Sequence, residues 1–360
     1  MQNDFSCNQE IIMAARRNLT QDIWDYLTGG AESESTLRRN RLRFDSIAFR
    51  PRILKDVSEV VVSREVLGHH LRIPVVLASI GSVQTLVEEG GVAVAKAAEE
   101  FGTMCFISSV AQPSLEETAA SSNAPKVYQL YPRGDLKWIE DVLGRVKKAG
   151  YTALCFTVDV AFYGHRERQM MSRWLPPSKA KGEPNTFYQM SMTWDTIDAI
   201  REIWGNTLII KGIMTPEDAG LAVEHGVDVV YVSNHGGRTL DHSQATIDVL
   251  GEIVKAVDGK VDVFADSGIV RGSDIIKAIC LGAKAVGIGK LQGWALAAAG
   301  QAGLVRALEI LEAEITGTMR LLGVTDLDQL GPEYVCKAQP VTDPTETSAF
   351  VHLAQGRMAY

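Results

Sequence analysis

From residue 74 onward, short apolar runs alternate with longer segments in which apolar residues return every three or four positions. The runs are PVVLAS (74–79), MCFIS (104–108), VYQLY (127–131), ALCFTVD (153–159), LIIKGI (208–213), VVYVSN (229–234), VDVFADSG (261–268) and AVGIGK (285–290). Their length and β-branched content predict strands. Between them GVAVAKAAEEFG, LKWIEDVLGRVKKAG, TPEDAGLAVEHG, ATIDVLGEIVKAV and GSDIIKAICLG predict helices, most of them closed by glycine. Each run is apolar on both faces, the pattern of parallel strands covered on both sides by helical crossovers. Eight such units predict a (β/α)8 TIM barrel. A doubly wound open sheet is the alternative, but it would carry a GxGxxG turn after an early strand, where this chain has none.

The segments outside that alternation predict an arm and a tail. A helix over roughly residues 8–28, ending at Gly29-Gly30, is followed by a charged stretch and then FRPRIL. No Ser/Pro/Gly-rich linker separates it from the rest, so a single domain is expected: an N-terminal helical arm over 1–73, a barrel over 74–323 and a C-terminal tail over 324–360. Residues 159–193 form the longest break between strand and helix, and a loop of that size in a barrel usually carries function. After residue 299, GQAGLVRALEILEAEITGTMRLLG reads as the last barrel helix with an extension.

Composition narrows the function by exclusion. The 360 residues are 46% hydrophobic and carry a net charge of −8. No basic stripe interleaved with aromatics is present, which argues against nucleic acid as a partner. No apolar run approaches the roughly 18–20 residues needed to span a bilayer, and the first residues lack the pattern of a secretory signal. Cys7, Cys105, Cys155, Cys280 and Cys336 form no CxxC, so neither zinc nor a disulfide framework is expected and the cytoplasm is the default location. His165, His225 and His242 have no common ligand spacing, and no metal is predicted.

Chemistry gathers instead at the C-terminal ends of the strands, where barrel enzymes build their sites. Those ends supply Ser108, Gln129, Tyr131, Thr157, Asp159, Lys211, Ser233, His235, Asp266 and Lys290. A lysine inside LIIKGI would be costly to bury without a role. ADSGIVRG and GIGK close strands seven and eight with glycines and a cation each, a pattern suited to a phosphate-bearing ligand; Asp266, Gly268, Arg271, Gly289 and Lys290 are the candidates there.

In that order DYLTGGAES, FRPRIL, YQLY, FTVD, GHRE, KGI, SNHGGRTLD, DSGIVRGSDIIKA and GIGK run along nearly the whole chain. The chain so resembles the FMN-dependent 2-hydroxy acid oxidase and dehydrogenase family, which includes glycolate oxidase, lactate oxidase and mandelate dehydrogenase. The resemblance implies FMN as cofactor, a small 2-hydroxy acid as substrate, oxygen or a quinone-like acceptor, and a homo-oligomer, commonly a tetramer. It implies His235 as the base, Asp159 as the group that holds and charge-stabilises its imidazole, and Arg238 with Arg166 as the carboxylate grip. Tyr26 and Tyr131 would orient substrate. Lys211 would sit at the flavin N1–O2 edge, with Ser79, Ile80, Gly81, Ser108, Gln129, Thr157 and Ser233 lining the cofactor.

Elementary chemistry agrees with those roles. No side chain accepts the two electrons of an alcohol oxidation, so a redox cofactor is required. Imidazole takes a proton near neutral pH, a carboxylate beside it stabilises the imidazolium, and guanidinium matches a carboxylate with its planar fork.

The chain departs from the family pattern at several points. Ser79-Ile80-Gly81 replaces the usual Pro-containing end of strand one. Val270 stands where a phosphate-binding arginine is usual, with Arg271 next along, and Lys290 replaces an arginine after strand eight. Val110 takes the place of a bulky tryptophan, and the loop after strand four is shorter than in the glycolate oxidase type. These changes predict looser FMN binding and a substrate larger than glycolate. Two other readings remain: an FMN oxidoreductase acting on a non-acid alcohol or natural-product intermediate, and a degenerate phosphate-binding barrel without redox activity.

Overall fold

The structure, a computed structural model, describes residues 5–177 and 187–354. Eight parallel strands close into a barrel: β1 (Val75–Leu77), β2 (Met104–Ser108), β3 (Lys126–Leu130), β4 (Ala153–Thr157), β5 (Thr207–Ile213), β6 (Val229–Val232), β7 (Asp262–Ala265) and β8 (Ala285–Ile288). Each pairs with its sequence neighbours, and β8 returns to β1 through Val286 opposite Val75. Every run expected to be a strand overlaps one, and two of those strands, at Lys126 and Thr207, begin one residue earlier than expected. The (β/α)8 architecture is therefore observed.

Strand alternation divides the core in two. Val75, Leu77, Cys105, Ile107, Leu154, Phe156, Ile210 and Val230 face outward into the shell of helices. Val76, Phe106, Val127, Cys155, Ile209, Tyr231, Phe264 and Ala285 fill the barrel interior. The hairpin Arg64–Val66/His69–Leu71 adds Val66 and Leu71 to that inner cluster, which closes the N-terminal mouth.

The arm differs from expectation. The helix expected over 8–28 is two helices, α1 (Asn8–Asn18) and α2 (Gln21–Thr28), broken at Leu19-Thr20, both extended. Asn18 turns its amide onto the carbonyls of Ala297 and Ala298 at 3.0 and 3.1 Å, which fixes the break against the barrel. The charged stretch is a third helix, α3 (Ser35–Asp45), whose buried face consists of Thr36, Leu37, Asn40, Arg41 and Phe44. Asp241, from the loop after β6, holds the start of α3 by accepting from Thr36 N at 2.7 Å, Ser35 N at 3.2 Å and Ser33 Oγ at 2.8 Å. Burial opposes that carboxylate's charge, but these donors outweigh it and hold its pKa well below the usual range.

The last helix runs Lys290–Leu322 and begins earlier than expected, with a non-helical step at Ala299-Gly300. In the tail, Val335–Lys337 pairs antiparallel with Ile47–Phe49. The long break after β4 holds the short helices Glu167–Met171 and Phe187–Met190; part of it lies outside the described residues.

Candidate active site

The inward face of the barrel changes character two residues past its last apolar layer. By strand alternation, the positions after Phe106, Val127, Cys155, Ile209, Tyr231 and Phe264 are Ser108, Gln129, Thr157, Lys211, Ser233 and Asp266. All six are buried. The sequence thus lays a polar floor on an apolar plug. Two residues further on come Ile80, Val110, Tyr131, Asp159, His235, Gly268 and Gly289. All but Asp159 line a cavity of about 230 Å³ at the C-terminal mouth.

The floor is only partly satisfied by protein. Ser108 Oγ donates to Gln129 Oε1 at 2.8 Å, while Gln129 Nε2 and Thr157 Oγ1 are buried without a partner. Lys211 Nζ donates to Ser233 Oγ at 2.9 Å and stands 3.8 Å from both Asp159 Oδ2 and Asp266 Oδ2. Burial alone would discharge this lysine, but the two carboxylates outweigh it and hold its pKa above the ordinary value. A buried cation beside orphaned donors suits an electron-rich, hydrogen-bonding ring edge, so these residues fit the edge of a flavin.

The positions of Asp159 and His235 rest on unusual backbone. Gly212 has φ +116° at a break in the β5–β6 register. A Cβ there would meet the Asp159 Cβ at 2.6 Å, so only glycine lets that carboxylate approach. His235 itself is left-handed, φ +57°, a conformation uncommon outside glycine and often held at functional sites. The loop is held in place by the arm. Asn40 and Asn234 exchange amide hydrogen bonds at 3.0 and 2.8 Å, and a Cβ on Gly237 (φ +74°) would sit 2.5 Å from Leu37 N.

His235 Nδ1 lies 2.9 Å from Asp159 Oδ1. The carboxylate can only accept, so Nδ1 carries the proton and Nε2 presents a lone pair. Tyr131 Oη is 3.5 Å from Nε2, and burial raises the tyrosine's pKa, which keeps it protonated. Burial lowers the His235 pKa, Asp159 opposes that, and Lys211 adds to it; the net shift is downward. Asp159 is itself held below the usual carboxylate value: burial raises it, but Lys211 and His235 outweigh the burial. The result is a neutral imidazole at pH 7 with an anion ready for its protonated form.

Two arginines share one side of the cavity. Arg238 Nη1 donates to the carbonyls of Leu27 and Gly29 at the end of α2, at 3.2 and 3.0 Å, and its guanidinium lies 5.2 Å from the Tyr26 ring. Tyr26 Oη donates to the Gly81 carbonyl at 2.9 Å. Arg166 Nε donates to the Arg238 carbonyl at 3.0 Å. Burial and the neighbouring Arg166 push the Arg238 pKa down to about 10. Arg166 is buried and Arg238 half-buried; two adjacent cations that form no ion pair among the described residues make a site for an anion.

Gly268, Val270, Gly289 and Lys290 also line the cavity. Lys290 Nζ donates to the Gly236 carbonyl at 3.3 Å; burial, aided by Arg238, pushes its pKa down to about 7. Arg271 is not brought to this site. Its guanidinium bonds Glu314 Oε1 at 2.7 Å and the Ala349 carbonyl at 3.0 Å, and lies 4.3 Å from the Phe350 ring. Arg41 lines the cavity in its place, paired with Asp274 at 2.8 Å and Asp45 at 3.1 Å. Glycine N–H groups and Lys290 fit a phosphate, with fewer cations than two arginines would give.

Leu37, Asn40, Arg41, Tyr163 and Glu346 also line the cavity and were not found in the sequence. Arm and tail bring in all of these but Tyr163, which comes from the long loop after β4, so no strand-end rule points to them. Among the described residues no cluster of His, Cys, Asp and Glu could hold a metal.

A family model described as FMN-dependent dehydrogenase matches residues 15–337. An L-lactate oxidase from Nostoc sp. is 38% identical, over 89% of this chain and 95% of that protein. A glycolate oxidase from Spinacia oleracea is 35% identical, over 89% and 93%. A crystal structure of mandelate oxidase with (S)-2-phenylpropionate superposes with a TM-score of 0.86 at 35% identity, covering 94% of this chain and all of that one.

Proposed function

The chain belongs to the FMN-dependent dehydrogenase family, and from that membership we propose how its own residues oxidise a 2-hydroxy acid. It is an FMN-dependent oxidoreductase that converts the CH–OH of such an acid to a keto group. Held by the residues named below, FMN would supply the acceptor for the α-hydrogen and its electron pair. His235 Nε2 takes the hydroxyl proton, and Asp159 stabilises the imidazolium. Tyr131 orients the hydroxyl; Arg166 and Arg238 hold the carboxylate, with Tyr26 behind Arg238.

For the cofactor, the floor residues Ser108, Gln129, Thr157 and Ser233 hold the ring and ribityl polar groups. Lys211 offsets negative charge at the ring edge, and Ser79, Ile80 and Gly81 cover one face. Gly268, Gly289 and Lys290 take the phosphate. Arg271 contributes only by maintaining the start of its helix.

The substrate carries an apolar side chain larger than that of glycolate. Val110, Val160, Pro176 and Tyr163 line the cavity, and they support this reading. The acceptor is oxygen or a quinone-like molecule. We place the chain in the cytoplasm as a homo-oligomer, which the nearly full exposure of Ile53 and Leu54 supports. No described helix is long and apolar enough to cross a membrane.

The observation that carries the mechanism is the Asp159–His235 contact with Nε2 open to the cavity. Anaerobic mixing of the FMN-loaded protein with small, aryl and long-chain 2-hydroxy acids tests it. The larger acids should bleach the oxidised-flavin band fastest, and His235→Ala should keep flavin yet lose the bleaching. Normal reduction by that variant would overturn the assignment.

A further inference from the structure

We propose that Tyr163, fixed by Gln169, is a positioning residue for the carboxylate grip. This rests on the reading of Arg166 as a substrate-carboxylate ligand and adds what holds that arginine in place.

A hydrogen-bonded chain with a fixed direction leads from Trp174 to Arg166. The Trp174 carbonyl can only accept, and Gln169 Nε2 donates to it at 3.3 Å. That turns Gln169 Oε1 toward Tyr163, whose hydroxyl donates to it at 3.1 Å. With its proton committed there, the Tyr163 oxygen offers a lone pair to Arg166 Nη1 at 2.9 Å. The same ring lies under the guanidinium, 4.1 Å from Arg166 Cζ to the centroid. One tyrosine therefore sets both the plane and the rotation of the arginine fork. Nε is already committed to the Arg238 carbonyl, so the remaining N–H groups are the ones offered to an anion.

The arrangement answers a specific difficulty. Arg166 is buried and Arg238 beside it half-buried, and before substrate arrives the repulsion of these two cations would drive the more mobile one away. Arg238 is held by the α2 carbonyls. Arg166 sits on the loop after β4 and has no carboxylate partner among the described ion pairs. The electron-rich face and oxygen of Tyr163 supply attraction without a negative charge that would compete with the substrate. Gln169 is buried, and its bond to Trp174 extends the support: the Trp174 ring lies 4.8 Å from that of Tyr26, the residue behind Arg238. Both arginines are thus backed by aromatic rings that belong to one connected set.

The test compares Tyr163→Phe, Tyr163→Leu, Arg166→Ala and the double variant Tyr163→Phe/Arg166→Ala, each loaded with FMN. KM for a 2-hydroxy acid is measured together with the Kd of the unreactive 2-keto acid product, read from the flavin spectrum. Tyr163→Phe should raise both by about three- to tenfold with kcat nearly unchanged, and Tyr163→Leu by more, since it loses the ring as well. Tyr163→Phe should add nothing once Arg166 is alanine. If Arg166→Ala weakens carboxylate binding but neither Tyr163 variant does, the inference is overturned and the reading of Arg166 stands. If Arg166→Ala itself leaves both constants unchanged, that reading fails and the inference fails with it.

Discussion

Replacing Asp159 by asparagine isolates the charge in the pair that serves the base. The amide oxygen can still accept from His235 Nδ1, so the imidazole keeps its tautomer and Nε2 keeps its lone pair. What disappears is the attraction between a carboxylate and the imidazolium formed when the proton arrives. The heavy atoms are 2.9 Å apart, which places the charge centres roughly 4 Å apart; at an effective dielectric of about 20 that is worth about 4 kcal/mol. The amide dipole restores part of it, so the barrier should rise by about 2–4 kcal/mol and flavin reduction should slow by about 30- to 1,000-fold. A second signature separates this electrostatic cause from simple displacement. Asp159 opposes the downward shift of the His235 pKa, so its neutralisation lowers that pKa further. Protonated histidine cannot accept a proton, so in the parent protein the rate falls as pH drops through a pKa below the ordinary value of about 6.5. In Asp159→Asn this acid limb should move to still lower pH while the plateau drops. Anaerobic stopped-flow traces of the flavin band, collected across pH with saturating acid, read both quantities. An unchanged plateau, or an acid limb that stays in place, would refute the reasoning.

Lys290 should make FMN binding depend on pH. Burial and Arg238 push its pKa down to about 7, and a phosphate beside it would raise that pKa, so binding takes up a proton and affinity falls as pH rises above 7; flavin fluorescence titrations should show this slope, and Lys290→Met should abolish it. Asp241→Ala removes the acceptor of the α3 N-terminus and should cost about 2 kcal/mol, seen as a lower urea midpoint. Because its folded pKa is depressed, that stabilisation is present above the unfolded value of about 3.9 and lost as pH falls toward the folded one. Gly212→Ala should push Asp159 away from its place against β5 and slow flavin reduction with little change in FMN content, measured by absorbance after desalting.

The barrel was legible because its strands are buried on both faces, which leaves continuous apolar runs such as LIIKGI and VVYVSN. The site floor was legible for the same reason: a polar residue two positions past an inward apolar one interrupts the pattern. The arm was not. The buried stripe of α3 repeats with helical spacing, at 36, 37, 40, 41 and 44, but Asn40 and Arg41 occupy it, so hydropathy registers only charge. Asn40 and Arg41 are buried because Asn234 and Asp274 meet them, partners about 200 positions away that leave no local mark; only Asp45, which also pairs with Arg41, is local. Arg271 shows the converse limit. Its position in DSGIVRG suggested a phosphate ligand, yet Glu314 and the Ala349 carbonyl, both distant in sequence, take the guanidinium elsewhere.

The docking of α3 on the loop after β6 also sets a timetable for synthesis. Thr36 and Asp241 are 205 positions apart, and at about 5–20 residues per second the ribosome needs roughly 10–40 s to cover that distance. Throughout that interval the emerging α3 carries Leu37 and Phe44 with nothing to cover them, and Tyr26 has no Arg238 to meet. The cavity takes shape later still, because β8 must reach β1 and Lys290 must follow it, about four-fifths of the way along the chain.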